Sequence, residues 1–480
     1  MSAFLPLDAA TGLAPPRRAA DGFELTKKAS ALTPVKQTFR QIWFFLLLGS
    51  ICLEGLGRRY LPGVPSAVFY FFKDVVLVAG LIRYRINREV SGVFKSLFAG
   101  FVPVLKLAVL WTFVEIINPD QASITLGLLG FRAYWLWWFA PLIVASVLLD
   151  PVVRRKVVVI QSAIAMVVAV LAILQFGSPV DDAINTYSTV DGEASLAIPV
   201  TSTGRARVSS TFSFITGFGD FAVLVPVLLL SIGLGERERT SRLAALTATL
   251  FSAAALPMAG SRGPFALSLV LCLVVVWRAG LIFTRVGRRV ILVAVVAGLA
   301  SVFAFPDALQ GVRDRFEEGD TKARMAEFFD IVPPVALAKY KDGYTILGIG
   351  TGMTQNYRGQ FGVVEDIGGA AEGEVARHLW ELGPIGYLLV WSTRIGLVVV
   401  LLRAARILKR GGRRAASAGA LAYAFLALYG GLVFDHIFCA LFFVGFGFIL
   451  QEVVQVRLAS RARAREHGAF EAAARAPVPS

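Results

Sequence analysis

The sequence has few charged residues and few cysteines for its length. Only 17% of its 480 residues are charged, whereas 56% are hydrophobic and the mean hydropathy is +0.67. This ratio of hydrophobic to charged residues excludes a disordered chain, a coiled coil and an ordinary soluble protein. The three cysteines, Cys52, Cys272 and Cys439, all lie in apolar runs, and their spacing suits neither a disulfide framework nor a zinc site.

Long apolar segments make up most of the chain. A helix needs about 20 apolar residues to cross a hydrocarbon core of about 30 Å. The sequence therefore predicts an all-α polytopic membrane protein with about twelve transmembrane helices, or ten or eleven if the closely spaced last two segments do not both span. The segments are residues 41–57, 65–82, 96–117, 126–149, 157–177, 211–234, 243–259, 264–281, 288–306, 383–402, 415–432 and 434–455.

The basic residues are distributed unevenly between alternate loops. The net charge is +15, and 31 of the 48 Lys and Arg residues lie in the two tails and in one set of alternate loops. Because such residues are retained on the cytoplasmic side, both termini are predicted to be cytoplasmic. The basic residues mostly lie between apolar runs, so no nucleic-acid partner is expected. Residues 1–40 and 456–480 are predicted to be basic cytoplasmic tails, the first of them disordered and without a signal peptide.

Two long polar segments fall on the opposite, extracytoplasmic face. Residues 178–210 form one loop within the first nine spans at 41–306, and residues 307–382 form a large helical loop before the last three spans at 383–455. Long polar loops between membrane helices more often carry function than short connectors do. The chemistry is therefore expected on the extracytoplasmic face.

Several arginines lie on that face. A guanidinium group keeps its charge and matches phosphate oxygens two at a time, so several together can hold a diphosphate. Pairing with lipid headgroups or with loop carboxylates is the alternative interpretation. The residues are Arg205, Arg207, Arg262, Arg313, Arg315, Arg324 and Arg377.

A second candidate group precedes the tenth span. If this segment is a helix, Glu374, Arg377, His378 and Glu381 share one face, with Glu372 at its outer start. A carboxylate beside arginines can act as a general base for a sugar hydroxyl. Capping of the helix by Glu372 and a structural role for His378 are the alternatives.

Six of the ionisable residues inside the apolar segments form a third candidate group. Charged groups in hydrocarbon are costly, so these side chains are expected to face the bundle interior or a water-filled cavity, where they could also line a transport path. They are Lys73, Asp74, Lys106, Arg132, Asp220 and Arg394. The glycine-rich run 348–352 is interpreted as a turn, since it has neither the flanking elements nor the location of a dinucleotide site.

Three motifs follow one another on the outer face. Arg207-Val-Ser-Ser-Thr-Phe-Ser-Phe precedes a span, Gly260-Ser-Arg-Gly263 forms a turn, and a long loop runs from Arg313 through 347–352 to Gly386. In this order they resemble the O-antigen ligase and O-antigen polymerase superfamily of bacterial membrane glycosyltransferases over about residues 200–390. The ligases usually carry a histidine nine residues before the position of Glu381. Glu372 stands there, which is more similar to the polymerase and exopolysaccharide branch.

The resemblance implies an inverting, metal-independent transfer of glycan in the bacterial inner membrane, with a periplasmic site and no cofactor. Arg207, Arg262 and Glu372 would be the catalytic residues. Binding of substrate would involve Arg205, Arg315, Arg324, Glu374, Arg377, His378 and Arg132. The implied partners are an undecaprenyl diphosphate-linked oligosaccharide, a glycan acceptor, membrane lipid and a chain-length regulator.

Other functions remain open from the residues themselves. An O-antigen ligase would move a finished glycan to lipid A core or another acceptor. A twelve-span secondary transporter would depend on Lys73, Asp74 and Asp220, although the sequence has no convincing half-repeat. A non-catalytic envelope scaffold would tolerate loss of Arg207, Arg262 and Glu372.

Overall fold

The computed structural model of the chain describes residues 33–61, 63–188, 194–195, 197–198, 203–280, 288, 303, 305–318, 331–340, 345–355, 357–361 and 373–474. In this part the chain is almost entirely helical, and the only strands described are a two-residue antiparallel pair, β1 (Tyr187–Ser188) and β2 (Ala194–Ser195). The all-α prediction is thereby confirmed. The helices are α1 (Pro34–Cys52), α2 (Glu54–Tyr60), α3 (Ser66–Arg83), α4 (Arg88–Phe98), α5 (Val102–Val114), α6 (Ile124–Trp135), α7 (Ala140–Leu148), α8 (Pro151–Gly177), α9 (Ile215–Gly235), α10 (Arg239–Ala255), α11 (Arg262–Arg278), α12 (Pro306–Glu318), α13 (Pro333–Lys339), α14 (Glu374–Arg410), α15 (Arg414–Tyr429) and α16 (His436–Ala474).

Six spans of the described chain are long and apolar enough to cross a membrane, or eight if two bent helix pairs each count as one. A membrane protein is therefore indicated, whereas twelve spans are not shown. Helix α3 carries Lys73, Asp74 and Arg83, and α11 and α15 have only 17 and 16 residues. The predicted segment 288–306 lies almost wholly outside the described residues.

Two predicted spans are broken by sharp bends. Helices α1 and α2 meet at 64°, and α4 meets the α5 segment Val102–Ile117 at 93°. Gly100 lies in the second bend with φ 93°, a left-handed conformation that glycine adopts without a steric penalty. The segment predicted as one span at 96–117 therefore contains the end of α4, a sharp bend and α5.

The centre of the bundle is formed by α9 and α16. In their most apolar stretches 89% and 94% of the residues are buried, consistent with helices that are hydrophobic on all sides. Helix α9 packs against α10, α11, α15 and α16. The last helix continues to Ala474, so the predicted tail at 456–480 is helical over most of its length.

The loops meet in two groups at opposite ends of the bundle. At the first, the basic end, Arg154 pairs with Glu236 and, at 2.8 Å, with Glu452, while Arg461 Nη1 lies 2.6 Å from Glu89. The loops brought together there are residues 84–95, 150–156, 236–242 and 411–414, which the sequence analysis assigned to one face. The other group, the loop end, comprises the described residues 53–61, 63–66, 115–126, 178–188, 203–214, 256–264, 305–318, 331–340, 345–355, 357–361, 373–381 and 430–436.

Candidate functional site

The motif before α9 is fastened to α2 at the loop end. Arg59 donates hydrogen bonds to the carbonyl oxygens of Ser210 and, at 2.7 Å, Phe212. Arg58 Nη1 donates to Ser213 Oγ at 2.9 Å. No role was predicted for Arg58 and Arg59, although their position at the end of the first predicted span places them on the outer face. They fix the backbone of the arginine motif.

Two of the three predicted motifs are in contact. Arg207 Nη2 donates to Ser261 Oγ at 2.8 Å, and the Val208 N–H donates to the Met258 carbonyl oxygen at 3.3 Å. Gly260 makes the turn with φ 57°, and Arg262 begins α11 directly after Ser261. The half-buried Arg207 and Arg262 therefore belong to one surface, although they are 55 positions apart in sequence.

The large loop reaches the same surface. Arg205 Nε lies 3.2 Å from Asp307 Oδ2, which brings the start of α12 beside the Arg205–Arg207 stretch. Both side chains are about two-fifths exposed, so the pair is worth little stability by itself. Three predicted positions cannot be located: the side chain of Arg315, and Arg324 and Glu372, lie outside the described residues.

Glu374, at the start of α14, is held by protein partners. Its carboxylate lies 2.5 Å from Arg394 Nη2 and 3.6 Å from His378 Nε2, and it accepts the Val433 N–H at 2.8 Å. These contacts join the first turn of α14 to its own middle and to the segment before α16. Glu374 thus anchors α14, a role that the sequence analysis did not assign to it.

His378 and Glu381 are bridged by one tyrosine. Tyr134 Oη lies 3.0 Å from His378 Nδ1 and donates to Glu381 Oε2 at 3.2 Å. Glu381 Oε1 also accepts from the backbone and hydroxyl of Thr354 at 2.9 and 2.8 Å. The predicted shared helix face is confirmed. His378 is only 3% exposed, and its neighbours are those of a structural histidine.

Arg377 belongs to a different group from Arg207 and Arg262. Its guanidinium carbon lies 5.5 Å from the centre of the Phe434 ring, a cation–π distance. The charged groups around it are Glu374, Glu381, Arg358 and Asp435. The structure therefore brings Arg207 and Arg262 onto one surface and places Arg377 elsewhere, beside α14 and the segment before α16.

Four of the predicted ions of the spans, Lys73, Asp74, Arg132 and Arg394, each pair with an opposite charge. Lys73 Nζ contacts Glu54 Oε2 at 2.6 Å, and Arg132 pairs with Asp74. The predicted inward orientation is confirmed for these residues, and Lys73 is fully buried. The predicted inward orientation is wrong for Lys106, because its side chain is exposed on α5. It is the fifth residue of that helix, close enough to its start for the long side chain to extend toward the membrane interface.

The glycine-rich run fills a break in α14. Gly383 has φ 63° there, and the N–H groups of Ile349 and Gly350 donate to the carbonyl oxygens of Trp380 and Glu381 at 2.8 and 3.1 Å. These carbonyls would otherwise lose their helical partners at the kink. The run is a turn, as predicted, and it is inserted between helices instead of lying on the surface.

Two buried polar groups beside this turn have no hydrogen-bond partner in the part of the chain described, Gln355 Nε2 and Tyr357 Oη. Burial raises the pKa of Tyr357 well above its usual value, so its hydroxyl is a neutral donor. Native proteins rarely leave such groups unsatisfied, so a ligand or water is the expected partner. Neither residue could have been identified from the sequence, because no charge or motif marks them.

Comparison with known proteins assigns no family, since the chain matches no protein-family model and no curated protein. Among the described residues, no group of three His, Cys, Asp or Glu side chains is placed to hold a metal ion. A functional assignment therefore depends on the motifs and on the geometry of the loop end.

Proposed function

We propose that this protein is a membrane glycosyltransferase that polymerises undecaprenyl diphosphate-linked glycan units. The observation that carries the proposal is the contact between Arg207 and Ser261, which places two arginine motifs on one surface at the loop end. Guanidinium groups so placed suit the two phosphates of a lipid diphosphate. The pairing of Arg205 with Asp307 adds part of the large loop to that surface, which supports the further proposal that this loop covers the site and excludes water.

The proposed reaction is a single displacement. An acceptor hydroxyl oxygen attacks the anomeric carbon of the donor sugar, and the bond from that carbon to the phosphate oxygen breaks. The diphosphate leaves with the electron pair and is stabilised by Arg207 and Arg262, while Glu372 takes the hydroxyl proton. The sugar is thereby transferred with inversion, and no redox step is required.

The remaining site residues would act around this centre. Arg205, Arg315 and Arg324 would attract the anionic substrate, while Glu374 and His378 would position Arg377 through their contacts in α14. Arg132, whose guanidinium carbon lies 5.3 Å from the Tyr70 ring, would hold the floor of the site through Asp74. Gln355 and Tyr357 are suited to hydrogen-bond sugar hydroxyls.

The proposal includes a location and an architecture. Twelve spans in a bacterial inner membrane, with cytoplasmic termini, would place the loop end in the periplasm. The segment 288–306, the charged helix α3 and the short helices α11 and α15 would be counted among the spans. The partners would be the lipid-linked oligosaccharide, a glycan acceptor, membrane lipid and a chain-length regulator.

The test is turnover of a lipid-linked glycan by the purified full chain in proteoliposomes. We expect Arg262→Ala and Arg207→Ala each to lower the rate by about 10² to 10³, as for loss of one preorganised charge-stabilising group. Lys339→Ala removes an exposed positive charge from the same end and is the matched control, with an unchanged rate. Equal rates for Arg262→Ala and Lys339→Ala, in variants that melt like the wild type, would contradict the proposal.

The glycan that accumulates on deletion separates polymerase from ligase. A single repeat unit on its lipid carrier is expected for the polymerase, whereas a finished polymer on the carrier would indicate an O-antigen ligase. Glu372→Gln should cause the same accumulation as the deletion, because an amide cannot take the hydroxyl proton.

A secondary transporter is the second candidate, favoured by the buried ions of the spans. Glu54, Lys73 and His436 are in contact at 2.6 and 3.3 Å inside the bundle, an arrangement that also suits proton or ion coupling. This candidate predicts that Arg262→Ala retains full function, whereas Lys73→Met abolishes uptake into vesicles. Glycan turnover in sealed proteoliposomes without any gradient would exclude it.

A further inference from the structure

A partly open cavity of about 480 Å³ lies at the basic end, on the opposite side of the bundle from the proposed site. It is bounded by the ends of α9 and α11, the turn between α14 and α15, and one face of α16. Four arginines and one glutamate contribute to its lining, together with an apolar floor that includes Leu228, Ile232, Phe448 and Ile449. The charged residues are Arg154, Arg237, Arg413, Arg414 and Glu452.

The carboxylates near the cavity do not balance its positive charge. The two carboxylates nearby are Glu236 and Glu452, and both pair with Arg154, the second at 2.8 Å. Arg413 Nε reaches Glu452 only at 3.8 Å. Four guanidinium groups thus face two carboxylates, which leaves an excess of two positive charges. Arg237 and Arg414, both exposed, carry that excess into the mouth of the cavity.

The turn before α15 adds backbone donors to the same place. Helix α15 begins at Arg414, and its N-cap residue, Arg413, makes no capping hydrogen bond with its side chain. The first N–H groups of a helix have no acceptor within the helix, and the helix dipole favours an anion there. Residues 411–416 line the cavity, so these donors and the arginines meet at its mouth.

We infer that this cavity binds the phosphate group of an anionic phospholipid from the membrane leaflet at the basic end. The phosphate would lie against Arg237, Arg414 and the first turn of α15, and the start of an acyl chain would cover the floor at Ile232 and Phe448. An apolar floor beneath a basic rim fits a lipid better than a free phosphate ion. This inference does not depend on glycan transfer at the loop end.

The test is titration of the full chain in detergent with dioctanoyl phosphatidylglycerol, followed by native mass spectrometry. We expect one saturable site that dioctanoyl phosphatidylcholine does not fill. The double variant Arg237→Gln/Arg414→Gln should weaken binding by about 25-fold, at about fivefold for each charge. The matched control is Arg242→Gln/Arg406→Gln, which removes two exposed charges from the same end but outside the cavity, and its binding should stay unchanged.

Three results would overturn the inference. The first is an equal loss of affinity in the two double variants, and the second is equal binding of phosphatidylcholine. The third is displacement of the lipid by inorganic phosphate at the same concentration, which would identify a site for a soluble anion. If the double variant melts below the wild type without lipid, Arg414→Lys keeps the charge and should still bind more weakly than wild type, because it loses the planar fork.

Discussion

Two lysines of the apolar segments show how differently the same residue type is treated by this fold. Lys73 is fully buried, donates to the Tyr70 carbonyl oxygen at 2.7 Å and pairs with Glu54, whereas Lys106 is exposed on α5. Removing Lys73 leaves the buried Glu54 carboxylate with only the longer contacts to His436 at 3.3 Å and Arg58 at 3.6 Å, and loss of one partner of a buried pair is destabilising. Only Lys73 is therefore expected to matter for stability.

Lys73→Met should lower the free energy of unfolding by about 3–5 kcal/mol, the usual effect of breaking a buried ion pair. Denaturation in SDS, followed by tryptophan fluorescence, measures the change. Lys106→Met is the control and should unfold at the wild-type denaturant concentration. Similar shifts for the two variants would mean that Glu54 does not need Lys73.

At the scale of elements, hydrophobicity predicted where the helices lie, but it did not predict where they break. Eleven of the twelve predicted segments coincide with described helices, because about 20 apolar residues have few other solutions in a membrane. The bends at Leu53 and Gly100 and the kink at Gly383 depend on backbone conformation and on contacts with distant loops. Apolar runs carry no information on these contacts.

The candidate site, like the helices, was only partly predictable from the sequence. The face shared by Glu374, His378 and Glu381 follows from helical periodicity alone, and it is present. The hydrogen bonds that Tyr134 and Thr354 make to this face could not be predicted. Both residues come from segments far away in sequence, and neither is marked by charge. The contact of Arg207 with Ser261 was predicted only as a shared side of the membrane.

The break in α14 supports a prediction of its own. Gly383 has a left-handed conformation, and a Cβ atom there would lie 2.7 Å from the Ile346 carbonyl carbon. Gly383→Ala should therefore destabilise the protein by at least about 1–2 kcal/mol, the cost of that conformation for an L-residue. A thermal melt in detergent measures it.

The control for this substitution is Gly92→Ala in α4, where a Cβ atom would meet nothing within 4 Å. Alanine favours the helix over glycine, so this variant should melt at or above the wild-type temperature. A Gly383→Ala protein that melts like Gly92→Ala would show that the turn at 348–352 does not require the kink.

For the whole molecule, the separation of the two ends predicts their accessibility. The loops of the basic end meet through Arg154 and Arg461, and positively charged loops are retained in the cytoplasm. A single cysteine introduced at the exposed position Asp120 would report the accessibility of the loop end, and one at Arg410 that of the basic end. Cys272, which is partly accessible, would first be changed to Ser.

In intact cells, a maleimide that cannot cross the membrane should label Asp120→Cys and leave Arg410→Cys unlabelled until the membrane is opened. Labelling is followed by a gel shift. The unsubstituted Cys272→Ser protein provides the background, since Cys52 and Cys439 are buried. The reverse pattern would invert the proposed orientation and place the arginine motifs in the cytoplasm.

The bend at Gly100 has a consequence for the surrounding lipid. From Val102 to Ile117 the helix is about 24 Å long, several ångströms short of a typical hydrocarbon core. A short hydrophobic element is accommodated by a locally thinner bilayer and by side chains such as Lys106 that extend to the headgroups. Beside α5 the membrane is therefore expected to be thinner than an unperturbed bilayer, and the lipid headgroups there would lie closer to the bilayer centre.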